Sequence, residues 1–270
     1  MKLYHYTDVS AVHSILSTRK LWLTDLRFMN DSQELLHGID FLQSALKQQP
    51  YGLFYNKHYA EQAVEYLASS LSKYEDAARF DDPVFAMSFS EKDDLLSQWR
   101  GYGGYSVCFN REYLEDCGLK LSSCLYTRSS KLNRALVAAS DAGARVSSWM
   151  GRDHGCIGLE SIDQLISLVE FAATFKDAGF EEEREVRMIA RPNSNEIKYR
   201  PRNGILVPYV EIDIPAEAIE GVCIGPVREQ GLASVSMEMF ISSVESINRS
   251  NGGNIGWCVP VGRSNTPYRS

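Results

Sequence analysis

Glu181-Glu-Glu-Arg-Glu-Val-Arg-Met-Ile-Ala190 passes from a run of charge into an alternating stretch. Read as a strand from Arg184 to Ala190, it turns Val186, Met188 and Ala190 toward a core, because successive side chains point to opposite faces. Glu183, Glu185 and Arg187 then share the other face. Two glutamates side by side repel each other, so the pattern admits two readings. One is a solvated edge strand with Arg187 as a bridging cation. The other is a carboxylate pair at the mouth of a cleft, with the arginine placing or neutralising one member.

Around this stretch the last third of the chain is mostly strand: Arg184 to Ile189, Ile205 to Ile214, Val222 to Gly225 and Ile255 to Val261, with a helix over Leu232 to Ile247. The first part alternates differently. Val9, Val12, Ile15 and Leu16 repeat at helical spacing behind Asp8 as N-cap. Leu21 to Leu26 reads as a half-buried strand. Asp31 and Glu34 have the spacing of a capping box ahead of Leu35, Leu36, Ile39, Leu42 and Leu46. A further helix is expected over about 57–73, and Asp82-Pro83 ends it. Val84 to Ser90 reads as a strand. Asp93 and Asp94 head a short helix with Gln98, Trp99 and Arg100, where acidic charge suits the helix dipole. Tyr105 to Phe109 is the next strand, and helices follow over roughly 130–149 and 160–174. Short strands interleave with helices without regular βαβ spacing, which predicts an α+β fold. No internal repeat or linker-like shift divides the 270 residues, so one domain over 1–270 is expected.

The composition is 44% hydrophobic and 23% charged, the balance of a globular chain with a real core. No run is long and apolar enough for a membrane helix, so no membrane partner is expected. The opening MKLYHYTD lacks the apolar segment of a signal peptide, and the expected address is the cytoplasm. The six cysteines form no C-x-x-C pair and are expected reduced, most of them in the core. A net charge of −7 argues against coating nucleic acid through overall charge. Arg184, Arg187, Arg191, Lys198, Arg200 and Arg202 crowd one stretch beside Glu181–Glu185, and this reads either as a mixed solvated face or as a local basic groove.

Several stock motifs fail on context. Gly101-Tyr-Gly103 follows a helix and precedes a strand, the reverse of a dinucleotide fingerprint. Gly104-Tyr-Ser106-Val-Cys108 lacks the last glycine of a nucleophile elbow. Asp153-His154-Gly-Cys156 is not completed to a metal set, and no metal is expected. The glutamate pair has more to offer. Cleavage of an N-glycosidic bond leaves positive charge on the ribose, and a carboxylate about 4 Å away is worth on the order of 4 kcal/mol at an effective dielectric of about 20. That is roughly a thousandfold in rate. Glu183 fits a general base beside Glu185. His5-Tyr6-Thr7 adds a histidine, an aromatic and a hydroxyl ahead of the first helix. Their bland readings are a structural hydrogen-bonder, a core aromatic and a cap.

Leu3-Tyr-His-Tyr-Thr7, Leu21-Trp-Leu-Thr-Asp-Leu-Arg-Phe-Met-Asn-Asp31, Phe89-Ser-Glu91, Leu96-Ser-Gln-Trp-Arg-Gly-Tyr-Gly103, Glu182-Glu-Arg-Glu-Val-Arg187 and Arg263-Ser-Asn-Thr-Pro-Tyr-Arg269 occur in that order. As a set they resemble the bacterial DUF2971 family, with Val186 where that family usually carries tryptophan. The family is thought to be related to the ADP-ribosyltransferases. The resemblance implies a split antiparallel β-core with flanking helices, holding NAD as co-substrate between two small sheets. It implies that His5 fixes the cofactor, Tyr6 stacks on nicotinamide and Thr7 contacts a hydroxyl. Glu185 becomes the catalytic carboxylate with Glu183 in support, while Ser88 and Ser90 end the strand beneath it. Asn30 and Asp31 reach the cofactor from a loop, though capping explains Asp31 nearly as well. Gln98, Trp99 and Arg100 place a pyrophosphate or the acceptor, with Trp99 equally at home in the core. The activity implied is ADP-ribose transfer to a protein or nucleic acid, as a toxin or phage-defence effector. A non-catalytic nucleotide- or partner-binding module and an NAD glycohydrolase are the alternatives.

Overall fold

The strand after Glu183 forms, but as an inner strand rather than an edge. The computed structural model describes residues 1–29, 32–48, 56–74, 83–116, 118–254 and 256–267. In it the chain opens with β1 (Lys2–Thr7), α1 (Val9–Thr18) and β2 (Lys20–Asp25). Asp8 caps α1, its carboxylate accepting from Ala11 N at 2.9 Å. Two amphipathic helices follow, α2 (Ser32–Gln48) and α3 (Ala60–Tyr74), and then β3 (Phe85–Ser90). A short α4 (Leu96–Tyr102) leads into β4 (Tyr105–Asn110), α5 (Arg111–Asp116) and β5 (Leu121–Ser123). The long α6 (Arg128–Arg152) and α7 (Leu159–Ala172) precede β6 (Glu185–Ala190). The hairpin β7 (Lys198–Arg202) and β8 (Ile205–Asp213), then β9 (Ile219–Ile224), α8 (Gln230–Ser250) and β10 (Val261–Arg263), complete the order.

Hydrogen bonding links the strands as β10-β9-β4-β1-β3-β2-β8-β7, with β6 on β3 and β5 on β6. Every pairing is antiparallel except β9 with β10. This is a mixed, mainly antiparallel α+β arrangement. Its irregularity lies at β3. That strand carries β6 along one whole edge, from Phe85↔Ala190 to Ser90↔Glu185. Its other edge is divided. Phe85 and Ala86 pair with β2, Ser90 alone pairs with Tyr4 of β1, and Met87 to Phe89 face no strand among the described residues.

Each face of the sheet has its own core. On one, α1 and α8 bury Val12, Ile15, Leu16, Met237 and Ile241 against Leu3, Leu21, Leu23, Phe89, Val107, Val186 and Met188. Val186 is fully buried opposite Phe89. On the other face, α2, α3, α6 and α7 pack on one another and on Ala86 and Ile189. Leu35, Ile39, Leu42 and Leu46 form the inner stripe of α2 at the expected helical spacing, and Ala135, Ala139 and Ala142 make α6 thin enough to lie close to it. Each fully buried leucine contributes about 1.5–3 kcal/mol relative to an exposed one.

The structure departs from the sequence reading in four places. The C-terminal strand spans Val261–Arg263 rather than Ile255 to Val261. Pro260 has no N–H to extend a ladder, while Trp257 and Val259 are buried as core residues without pairing. Ile255 itself lies outside the described residues. β5, β7 and α5 have too short a pattern to signal themselves. Among the described cysteines none is bridged. Cys108 and Cys124 are buried, whereas Cys223 is half-buried and Cys156 and Cys258 are exposed, so the core reading holds for two of them. Asp93 and Asp94 lie ahead of α4, which begins at Leu96 with no acidic residue in its first turn. No helix of the described residues is long and apolar enough to cross a membrane.

One contact sets how closely the helical layer packs. A Cβ on Gly38, in the middle of α2, would stand 2.5 Å from the carbonyl oxygen of Ala172 at the end of α7. Gly38→Ala is therefore expected to destabilise the fold by about 1–3 kcal/mol through overpacking, despite alanine's better helix propensity. Urea unfolding of the two proteins checks this.

Candidate active site

The divided edge of β3 creates the opening. Between the departure of β2 at Thr24↔Ala86 and the arrival of β1 at Tyr4↔Ser90, the side chain of His5 enters in place of a strand. Its Nδ1 lies 2.9 Å from the carbonyl oxygen of Ser88. A carbonyl only accepts, so Nδ1 carries the proton and Nε2 is left as an acceptor. Burial lowers the imidazole pKa more than the Ser88 carbonyl raises it, which favours the neutral ring.

Glu183 and Glu185 reach the same opening by a route the alternation did not anticipate. The strand starts at Glu185, so Glu183 is not on it. Instead Asp177 caps a 3-10 turn, Ala178–Glu183, accepting from Gly179 N. Arg184 then takes a left-handed conformation at φ 41°. That kink brings the carboxylates on either side of it onto one cation, the ammonium of Lys176, which bonds Glu183 Oε2 at 2.5 Å and also Glu185 Oε2. Lys176 is held in turn where the chain leaving α7 lies beside Leu125, with backbone bonds of 2.7 and 3.0 Å.

Glu185 Oε1 accepts from Ser88 Oγ at 2.7 Å and from Arg187 Nε at 2.5 Å. Arg187 continues to the Ala173 carbonyl at 2.6 Å and to Glu34 of α2 at 3.1 Å. Among the described residues, the cluster joins the carboxylates of Glu34, Glu183 and Glu185 to the cations of Lys176 and Arg187. Glu183, Glu185 and Arg187 are 6%, 4% and 2% exposed, so the solvated-edge reading is overturned. β5 pairs with the outer edge of β6, and the helical layer covers its face. Burial pushes the Glu185 carboxyl up, but Arg187 and Lys176 together outweigh it and hold the pKa at about 2. Burial lowers the Lys176 pKa, yet Glu185 and Glu183 keep it well above the ordinary lysine range. Glu183 Oε1 has no hydrogen-bond partner among the described residues.

The far wall is α4. Tyr6 donates its hydroxyl to the Lys92 carbonyl at 2.7 Å, accepts from Leu95 N at 3.2 Å, and meets the ring of Trp99 edge-on at 4.5 Å. Trp99 Nε1 donates to Asp94 at 2.7 Å. Asp94 also receives Ser264 Oγ, Thr266 Oγ1 and Asn265 N, and these bonds lower its pKa against the effect of burial. Tyr6 and Trp99 thus fasten α4 over β1. Close backbone approach requires glycine at both ends of this wall. A Cβ on Gly103, whose φ is +131°, would sit 2.5 Å from Thr7 O, and one on Gly225 would sit 2.6 Å from the Trp99 ring.

The result is a cleft of about 310 Å³, counted out to its mouth, lined by Tyr4, His5, Tyr6, Ser88, Phe89, Ser90, Gln98, Tyr102, Glu183 and Glu185. Only about 30 Å³ of it is enclosed, far below the roughly 300–1,000 Å³ of small-molecule sites, so the cleft is shallow. Of the residues singled out from the sequence, His5, Tyr6, Ser90, Gln98, Glu183 and Glu185 come together there. Ser90 works as a brace, donating to the Glu183 carbonyl at 2.6 Å. Trp99 is buried behind the wall, Thr7 ends β1 outside the lining, and Arg100 is exposed. Asn30 and Asp31 lie outside the described residues. Sequence reading missed Lys176, Tyr4 and Tyr102. A single lysine seven residues before Glu183 forms no pattern, and only the folded turn makes it the hub. Comparison with protein-family models, with curated proteins and with solved structures finds no match to this chain.

The charge cluster carries a pH signature. Glu185 ionises more readily folded, near 2, than at the ordinary 4.5, so its contribution is fully present above about pH 4.5 and is lost as the pH falls toward 2. The contribution is about 3 kcal/mol. Urea unfolding between pH 6 and 3 should show wild-type stability falling more steeply than that of Glu185→Gln. At pH 7 that variant should be about 3–5 kcal/mol less stable, because Lys176 and Arg187 lose their shared anion.

Proposed function

We propose that the cleft takes NAD as co-substrate and that the Glu183/Glu185 pair assists cleavage of its nicotinamide–ribose bond, with ADP-ribose passing to a macromolecular acceptor. The observation that carries this reading is the meeting of His5 with Glu183 and Glu185 across the divided edge of β3, from opposite ends of the chain. The resemblance to relatives of the ADP-ribosyltransferases implies a cleft between two small sheets; here the strands are linked into one sheet and the cleft lies at a gap in it.

The chemistry follows from the charges. The nicotinamide ring of NAD is cationic, and as the glycosidic bond breaks the positive charge passes to the ribose. The Glu185 carboxylate is held in place by Ser88, Arg187 and Lys176, so it does not reorganise during the step. Nicotinamide leaves with the bonding electron pair. The acceptor's nucleophile bonds to the anomeric carbon, and its proton goes to Glu183, whose Oε1 is uncommitted. His5 Nε2 accepts from a ribose hydroxyl or the carboxamide. Tyr102 and Tyr4 offer aromatic faces. In this division Glu185 is the fixed charge and Glu183 the mobile base.

A specific observation favours a second reading, a non-catalytic binding module. Both oxygens of Glu185 are engaged by protein donors, which suits a scaffold as well as a catalyst. Labelled NAD incubated with the protein and with lysate protein and nucleic acid separates the two. For the enzyme, nicotinamide is released and label enters an acceptor, or appears as free ADP-ribose if water is the acceptor. Glu183→Gln should lower kcat by roughly 100-fold or more, the scale of a lost general base, with KM within about threefold. If wild type is inert across such mixtures while NAD still raises the Tm, the binding reading replaces the catalytic one.

A further inference from the structure

The hairpin of β7 and β8 turns through Asn203-Gly204, both at positive φ (49° and 79°), as a tight two-residue connection requires. The period of two along β7 places Lys198, Arg200 and Arg202 on one face. Arg200 is set against two rings. Its guanidinium carbon lies 5.4 Å from the Trp22 centroid and 5.6 Å from that of Tyr209, and the two rings are themselves 4.7 Å apart. Nη2 donates to Thr24 Oγ1 at 2.9 Å, and Nε is sealed from solvent without an acceptor.

What Arg200 does not have is a carboxylate. Arg27, Arg111, Arg145, Arg187 and Arg191 each pair with one. Arg200 pairs with none among the described residues; exposed arginines such as Arg128, Arg134 and Arg249 also pair with none, but Arg200 is half-buried against its two rings. The nearby sheet carboxylate, Glu211, is already held by Lys198 at 2.8 Å and Lys20 at 3.2 Å. The field of Asp8 reaches Arg200 without a bond, while burial and the like charge of Arg202 work against the guanidinium. Stacking on the rings fixes its plane but uses few of its five N–H groups. Thr24 takes one and another is sealed, leaving the rest of the Nη edge in the planar fork that matches phosphoryl oxygens.

We infer that Arg200, with Arg202 beside it, binds a phosphoryl group of a small-molecule ligand. Thr24 is where β2 parts from β3, and Trp22 lies two residues past that point; neither lines the cleft that His5 enters. The inference stands without the NAD reading, and the two fail separately.

Calorimetric titration of the full chain with inorganic pyrophosphate, at fixed low ionic strength, tests it. Wild type should bind, Arg200→Gln should weaken binding by about tenfold or more, and Arg200→Lys, which keeps the charge but not the fork, should fall between them. Arg200→Lys also guards against misfolding, its Tm being measured alongside. Pyrophosphate binding should be unchanged in Arg145→Gln, which removes an exposed arginine of α6. Equal affinity in wild type and Arg200→Gln, or no binding by wild type at millimolar pyrophosphate, overturns the inference. So does tighter, Arg200-dependent binding of a single-stranded oligonucleotide, which would make the face a nucleic-acid surface. If pyrophosphate binds through Arg200 but NAD does not bind at all, the NAD reading fails and this site remains.

Discussion

The ammonium of Lys176, shared between Glu183 and Glu185, ties the helical layer to the sheet. Its own position depends on the chain leaving α7, and its partners lie on either side of the Arg184 kink. Through Glu185 it engages Arg187, and through Arg187 it engages Glu34 of α2 and the end of α7. Lys176 and Arg187 are removed from water together with Glu183 and Glu185. This is tolerable because each cation meets a carboxylate and both oxygens of Glu185 meet donors. Removing any one partner strands a charge in a low-dielectric environment, so the cluster behaves as a unit. The same condition keeps a negative charge at a defined place in the cleft wall.

The opening beside that charge arises from unequal sharing of β3. A strand that gave its whole second edge to β2 would close the sheet and leave His5 outside it. Because β2 keeps only Phe85 and Ala86, and β1 only Ser90, three residues of backbone face a side chain instead of a strand. The Ser88 carbonyl is satisfied by His5, and the Ser88 hydroxyl by Glu185. One residue of β3 therefore links the first strand of the chain to the charge cluster. Position and protonation of the imidazole are set together by this bond, since a carbonyl dictates which nitrogen holds the proton.

The wall opposite depends on the chain's other end. Asp94 collects donors from Trp99 and from the segment 264–266, so the tail after β10 fastens α4 above β1. A helix of so few residues has little stability of its own and is held by such contacts. Gln98 and Tyr102 owe their place over the cleft to an aspartate and a serine 170 residues apart in the chain.

The sequence by itself determined most elements and the character of the site. Apolar spacing in α1, α2, α6, α7 and α8 and alternation in β2, β3, β4, β8 and β9 follow from burial on one face, a local property that a single chain displays. Glu183 and Glu185 drew notice because like charges side by side repel, and His5 because the ordered set of motifs that carries the resemblance includes it. Only the tertiary structure decided that β6 is an inner strand, that Glu183 arrives by a left-handed kink rather than by strand period, and that Lys176 joins the two glutamates. It also decided that Trp99 and Tyr6 brace a wall, and that Arg200 stands on two rings without a carboxylate. The physical reason is common to all of these. Which polar groups meet is settled by how strands share their edges and how helices pack, and those contacts link residues whose separation in sequence leaves no periodic trace.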